Sequence, residues 1–158
     1  MNASTDDELR AWAKGTYPIE AATELLIRTG HAARYTRRNE ESGRAWLDFD
    51  AAAADVWPGG ALSGGERRLV AIAVSLAGVV PHTDVRAASW WQAFNLAETL
   101  PGLDRPTLAL VLAAIAHAGG SHEQHPDPVL VAQDGTARLN PDRAVTLEPL
   151  YPWPQEAR

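Results

Sequence analysis

Four groups of residues have types and spacings that could do chemistry. The stretch "HAGGSHEQHPD" carries His117, His122 and His125 with Glu123, and imidazole nitrogens beside a carboxylate could hold zinc for a hydrolytic reaction. The spacing H-x4-H-x2-H is not a recognised ligand pattern, and His117 falls at a helix end, where a cation interacts well with the helix dipole. The competing reading is a capping histidine followed by a solvated loop. Arg28, Arg34, Arg37, Arg38 and Arg44, interleaved with Tyr35, could contact phosphates and stack on bases. Glu40 and Glu41 dilute that charge, so internal ion pairs compete with nucleic-acid binding as its explanation. The third group is the aromatic set Trp90, Trp91 and Trp153; tryptophan left exposed is a frequent anchor of protein contacts. The fourth is Ser63, Gly64 and Gly65 followed by Glu66, Arg67 and Arg68, a helix start with cations beside it that could receive an anion or a partner.

The segment "LSGGERRLVAIAVSLAG", Leu62 to Gly78, resembles the signature motif of the ABC-type ATPases. The resemblance implies a helix start facing a nucleotide phosphate, at Ser63, Gly64, Gly65 and Glu66. That motif supplies only half a site. The other half, G-x-x-x-x-G-K-[ST], is missing, since the only lysine, Lys14, has no glycine loop before it. The chain is therefore read as no ATPase. The same letters spell a capping box, in which Ser63 and Glu66 exchange hydrogen bonds at the start of an amphipathic helix. "LSGGERRL" followed by "LALVLAAIAHAGGSHE" is also similar to a pairing in short uncharacterised actinobacterial proteins, a group that carries no assigned activity. There is no G-x-S-x-G, no cysteine and no cofactor motif, so no catalytic residue and no cofactor is assigned.

The whole-chain properties narrow the classes further. A chain of 158 residues fits one domain and is long enough to bury a core unaided. The net charge of -6 argues against general affinity for phosphate backbones. No apolar run approaches the ~18 residues that a membrane span needs. The polar, acidic start "MNASTDDELRAWAKG" is unlike a secretory signal, and the absence of cysteine fits the cytoplasm. Arginine in place of lysine and abundant alanine suggest a bacterial, GC-rich genome.

The elements that must position these residues are mostly helical. Thr5 and Glu8 have capping-box spacing before a short helix from Asp6 to Lys14. Pro18 opens a second helix, which Gly30 ends. "HAARYTRRNEESGR" has no apolar period and reads as a polar connection. An alanine-rich helix follows, capped by Asp48 or Asp50, with Trp46 and Trp57 packing at its ends. The Ser63 helix buries Leu69, Ile72, Ala73 and Leu76, and another helix starts near Thr83 and carries Trp90 and Trp91. Asp104 caps "LDRPTLALVLAAIAHAGG", whose apolar residues lie nearly all round, as in a central core helix that includes Leu112, and Gly119 follows its end.

Beyond it the proline content rises. "VLVAQDGTARL" reads as a hairpin turning at Asp134-Gly135, and "AVTLEP" as a further extended segment. The expectation is a mainly α chain: a helical domain of about five or six helices over 1–120 and a His/Pro-rich arm over 121–158, docked through Trp153 or Tyr151. The leading functional reading is a non-enzymatic interaction or accessory module that binds a protein partner or itself. A nucleic-acid-associated protein and a metal-dependent hydrolase are the alternatives.

Overall fold

The computed structural model, which describes residues 3–56, 61–79, 96–124, 129–142 and 145–155, is mainly α-helical with short antiparallel strand pairs. Helices α1 (Ala3–Ala13) and α2 (Tyr17–Arg28) lead into a one-turn helix α3 (Ala32–Tyr35) and the strands β1 (Thr36–Arg38) and β2 (Ala45–Leu47). Helices α4 (Phe49–Val56) and α5 (Gly64–Leu76) follow. After a short helix α6 (Leu96–Thr99) and a 3-10 turn (Leu100–Gly102), the longest described helix is α7 (Arg105–Ala118). Four strands complete the order: β3 (Glu123–Gln124), β4 (Val129–Val131), β5 (Ala137–Leu139) and β6 (Val145–Thr146).

The helix starts follow their local chemistry. At α5 the Ser63 Oγ accepts from the Glu66 N–H, and the Glu66 Oε2 accepts from the Ser63 N–H at 2.8 Å, a complete capping box. At α7 the Asp104 Oδ1 accepts from the Thr107 N–H at 2.8 Å, with Pro106 in the first turn. Asp48 caps α4 by accepting from the Ala51 N–H at 2.9 Å. Helix α1 begins earlier than its Thr5–Glu8 spacing suggests, so Thr5 lies inside it. Glu8 is used elsewhere: its Oε2 accepts from Arg38 Nη1 at 2.8 Å and from the Ala45 N–H at 3.2 Å. At the end of α7 the left-handed residue is Gly120, with φ of 68°, and not Gly119.

The stretch His31–Arg44, expected as a polar connection, buries Tyr35 and forms strand β1, and Ala45–Leu47, at the start of the alanine-rich stretch, form β2. Tyr35, Ala45 and Leu47 are all buried. Strands β1 and β2 pair antiparallel with Thr36 opposite Leu47, Arg37 opposite Trp46 and Arg38 opposite Ala45. In the turn, the Asn39 Oδ1 accepts from the Glu41 and Ser42 N–H groups. Alternation along β2 buries Ala45 and Leu47 against α1 and leaves Trp46 on the exposed face, contrary to the expectation that it packs. Trp57 lies outside the described residues.

The core is organised around α2, whose Ala21, Ala22, Leu25 and Leu26 are completely buried. Small alanines let α5 and α7 approach closely while the leucines fill the space between. Helix α5 also packs on α4 and buries every residue from Leu69 to Val74. Helix α7, expected at the centre, is an outer helix. It buries Val111, Ala113 and Ala114, whereas Leu112 is 38% exposed and Ile115 40%. Its apolar residues exceed what one packed face can cover, so the surplus meets solvent. No helix among the described residues is long and apolar enough to cross a membrane.

The segment after α7 forms two small antiparallel pairs. β3 pairs with β6, and the Leu147 N–H donates to the His122 carbonyl at 2.8 Å. β4 pairs with β5 around Gly135, whose φ of 83° permits the tight turn there.

Candidate functional site

His117 and His122 meet where α2, α7 and the C-terminal segment converge. Tyr17 and Glu20 share one face of the first turns of α2, and His117 sits in the last turn of α7. Their helices pack together, which brings the His117 Nε2 to 2.7 Å from the Glu20 Oε2, although 97 residues separate them in sequence. The Glu20 Oε1 accepts from the Gly15 N–H at 2.7 Å. Burial pushes the Glu20 pKa up, but Gly15 and His117 outweigh it and hold the carboxyl below its ordinary value. His122 stacks on His117 with ring centroids 4.4 Å apart and planes 11° from parallel. Tyr17 stands edge-on to both rings, and its hydroxyl donates to Glu123, which raises the phenol pKa.

Trp153 completes this cluster from the C-terminal segment. Its indole lies 6.4 Å from the His117 ring and packs on the core. The Arg28 guanidinium covers the indole at 5.3 Å from the ring centroid and donates from Nη1 to the Pro154 carbonyl at 2.7 Å. Arg28 in turn donates from Nε to the Glu24 Oε1 at 2.6 Å, and Arg10 donates from Nε to the Glu24 Oε2 at 2.8 Å. Burial again pushes Glu24 up, and the two guanidinium hydrogen bonds reverse the direction. Beside these groups lies a cavity of about 290 Å³. The side chains of Arg10, Lys14, Glu20 and Glu24 line it, with Ala13, His117 and Trp153 as its less polar walls.

This geometry orients an imidazole by a carboxylate, as in general acid–base pairs. His117 and His122 present stacked faces to each other rather than converging on one point, and His125 lies outside the described residues. Among the described residues no three histidine, aspartate or glutamate side chains are placed to hold a metal ion. Tyr151, the other expected anchor, is exposed.

A second cleft, of about 510 Å³, opens between the starts of α5 and α7. Ser63 and Gly65 line it, together with Glu66, Asp104, Arg28 and His31. Gly64 is exposed beside it, and Arg68 reaches across to the 3-10 turn, where a Cβ on Gly102 would fall 2.5 Å from the Arg68 Cζ. Arg67 is part-buried and donates from Nη2 to the Leu62 carbonyl at 3.2 Å. Arg67 and Arg68 thus contact their own scaffold while Ser63, Gly64 and Gly65 stay exposed, and the two caps put Glu66 and Asp104 in the cleft. Trp90 and Trp91 lie outside the described residues.

Most of the arginine group is ion-paired internally, with Arg44 exposed and outside these pairs. Arg34 pairs with Asp55 at 2.6 Å, Arg37 with Asp48 at 3.4 Å and Arg38 with Glu8 at 2.8 Å. Those carboxylates come from α1, from α4 and from Asp48 just before α4, so the charge balance is invisible within the stretch itself.

Sequence reasoning missed Arg10, Lys14, Tyr17, Glu20, Glu24 and Arg28 as members of one site. The only local signal was the i, i+4 spacing of Glu20 and Glu24 on α2 and of Arg10 and Lys14 along α1 into the turn that follows it. It also missed the β4–β5 hairpin as a surface. Val129 stands opposite Leu139 and Val131 opposite Ala137, so these four share one face, and all four are exposed. No protein-family model, curated protein or solved structure matches the chain.

Proposed function

We propose that the protein is a non-enzymatic interaction or accessory module of a bacterial cytoplasm that binds a protein chain, either a partner or a second copy of itself. The observation that carries this reading is the apolar face of the β4–β5 hairpin. Val131 and Leu139 are 69% and 82% exposed on a two-stranded pair. A lone hairpin is marginal in water, and exposed apolar faces with free strand edges are what added chains pair with. The exposed Leu112 and Ile115 of α7 add apolar surface of the same kind.

The ion-paired arginines favour protein over nucleic acid as the partner, because each guanidinium would have to leave a carboxylate to meet a phosphate. The test is the assembly state of the full chain by light scattering, alone and with proteins cross-linked to it in host lysate. A complex weakened by Val131→Lys with Leu139→Lys supports the reading, and a monomer whose cross-linked partners are indifferent to both changes refutes it.

A further inference from the structure

His122 joins the C-terminal segment to the helices through a ring that can take up a proton. Its imidazole stacks on His117 with centroids 4.4 Å apart and stands 4.6 Å from the Tyr17 ring. Its backbone closes the β3–β6 pair, because its carbonyl accepts from the Leu147 N–H at 2.8 Å. The buried Nδ1 of the same ring has no hydrogen-bond partner among the described residues. A charged imidazole donates from both nitrogens, so a proton on His122 leaves a buried donor without an acceptor. The carboxylates nearby are committed elsewhere. Glu20 of α2 attracts charge on His122, but its oxygens are taken by the Gly15 N–H and by His117. Glu123 accepts from the Tyr17 hydroxyl, and Glu24 is shared by Arg10 and Arg28. Arg10 and Lys14, on the cavity wall beside His117, and Arg28, over Trp153, are cations and offer no acceptor. On the β6 side Thr146 and Leu147 carry no charge and Glu148 is exposed.

We propose that the stacked pair His117–His122 is an acid-sensitive latch that holds the β3–β6 pair against the helices and opens when both rings are charged. One proton is tolerated. On His117 it faces Glu20, and the neutral face of His122 packs well over a cation. A second proton sets two cations face to face, with the His122 Nδ1 buried and unmatched. The sign follows: His122 is uncharged in the held form and free to charge in water once released. Release therefore takes up a proton, and it is favoured as pH falls through the range where imidazoles charge, about pH 5–8. Arg28 keeps its charge throughout, so Trp153 remains the tether and the β3–β6 pair is the part that lifts. The β4–β5 hairpin is carried between β3 and β6, so the latch sets how firmly its base is held, whatever binds it.

The test is backbone amide relaxation of the full chain by NMR at about pH 7.5 and about pH 5, a window above the range in which carboxylates titrate. The amides of Gln124 and Leu147 should be ordered at the higher pH, with order parameters near about 0.85, and fall below about 0.6 at the lower. Those of α2 should not change. His122→Phe keeps a flat ring that cannot charge, so its Leu147 should stay ordered at both pH values. A reading free of any variant comes from the unaltered chain, in which the His122 ring signals and the Leu147 amide should titrate with one shared midpoint. The proposal is overturned if Leu147 is equally ordered at both pH values. It is equally overturned if a helical His122→Phe chain loosens as the unaltered chain does, or if Leu147 loosens at a pH where the His122 ring does not titrate.

Discussion

Arg28 and Trp153 hold the C-terminal segment to the helical body: the guanidinium covers the indole at 5.3 Å and donates to the carbonyl of the next residue, Pro154, at 2.7 Å. One side chain of α2 thus makes a cation–π contact and a backbone hydrogen bond to a stretch 126 residues away. Trp153→Ala should cost about 1–2 kcal/mol through the lost contact and lost burial. Far-UV circular dichroism should stay helical while limited proteolysis cuts the segment after α7 faster. Unchanged proteolysis would show that the segment is held by other contacts.

The Arg10–Glu24–Arg28 triad predicts a pH dependence with a definite sign. Glu24 titrates below its ordinary value of 4.5 in the folded chain. Its contribution is therefore fully present above that value and is lost as pH falls through the lower folded value. Glu24→Gln should destabilise at pH 7, and the gap from the unaltered chain should close as the pH drops below about 4. Thermal melts of both chains across that range check this, and a gap that widens on acidification would contradict it.

Leu25 and Leu112 separate a core position from a surface one. Leu25 is completely buried in α2, and its truncation to alanine should cost about 2–5 kcal/mol. Leu112 is 38% exposed on α7, and Leu112→Ala should cost under about 1 kcal/mol. Urea unfolding of the two variants gives the order directly, and equal losses would place α7 at the centre after all.

Ser63 should behave as a cap and nothing more. Ser63→Ala removes an acceptor for the Glu66 N–H and should cost about 0.5–2 kcal/mol. Isothermal titration with ATP should show no binding before or after the change, because the chain has no phosphate loop to complete a nucleotide site. Saturable ATP binding lost in Ser63→Ala would revive the nucleotide reading.

The parts of the fold legible in the sequence are those fixed by neighbours along the chain. Ser63 with Glu66, Asp104 with Pro106, and the Asp134-Gly135 turn each announce a local structure, and α5, α7 and the β4–β5 pair stand there. The burial of Tyr35 within His31–Arg44 and the strand at Ala45–Leu47 are not legible. Tyr35, Ala45 and Leu47 are buried by α1 and the rest of the core, which no local period records. The same limit hid the site around His117. Its partner Glu20 is 97 residues away, and Trp153 reaches it from the far end of the chain. The apolar letters of α7 were legible, but which of them face the core depends on where α2 sits, and Leu112 falls on the outer side.

Amide hydrogen exchange over Val129–Val131 and Ala137–Leu139 reads most directly whether the β4–β5 hairpin binds another protein chain. Exchange is compared between dilute chain and chain in its concentrated or partner-bound state. Exchange should be fast when the hairpin stands alone and strongly protected on assembly, a protection that Val131→Lys with Leu139→Lys removes while that of α2 is unaffected. Exchange that stays fast in every assembled state would contradict it.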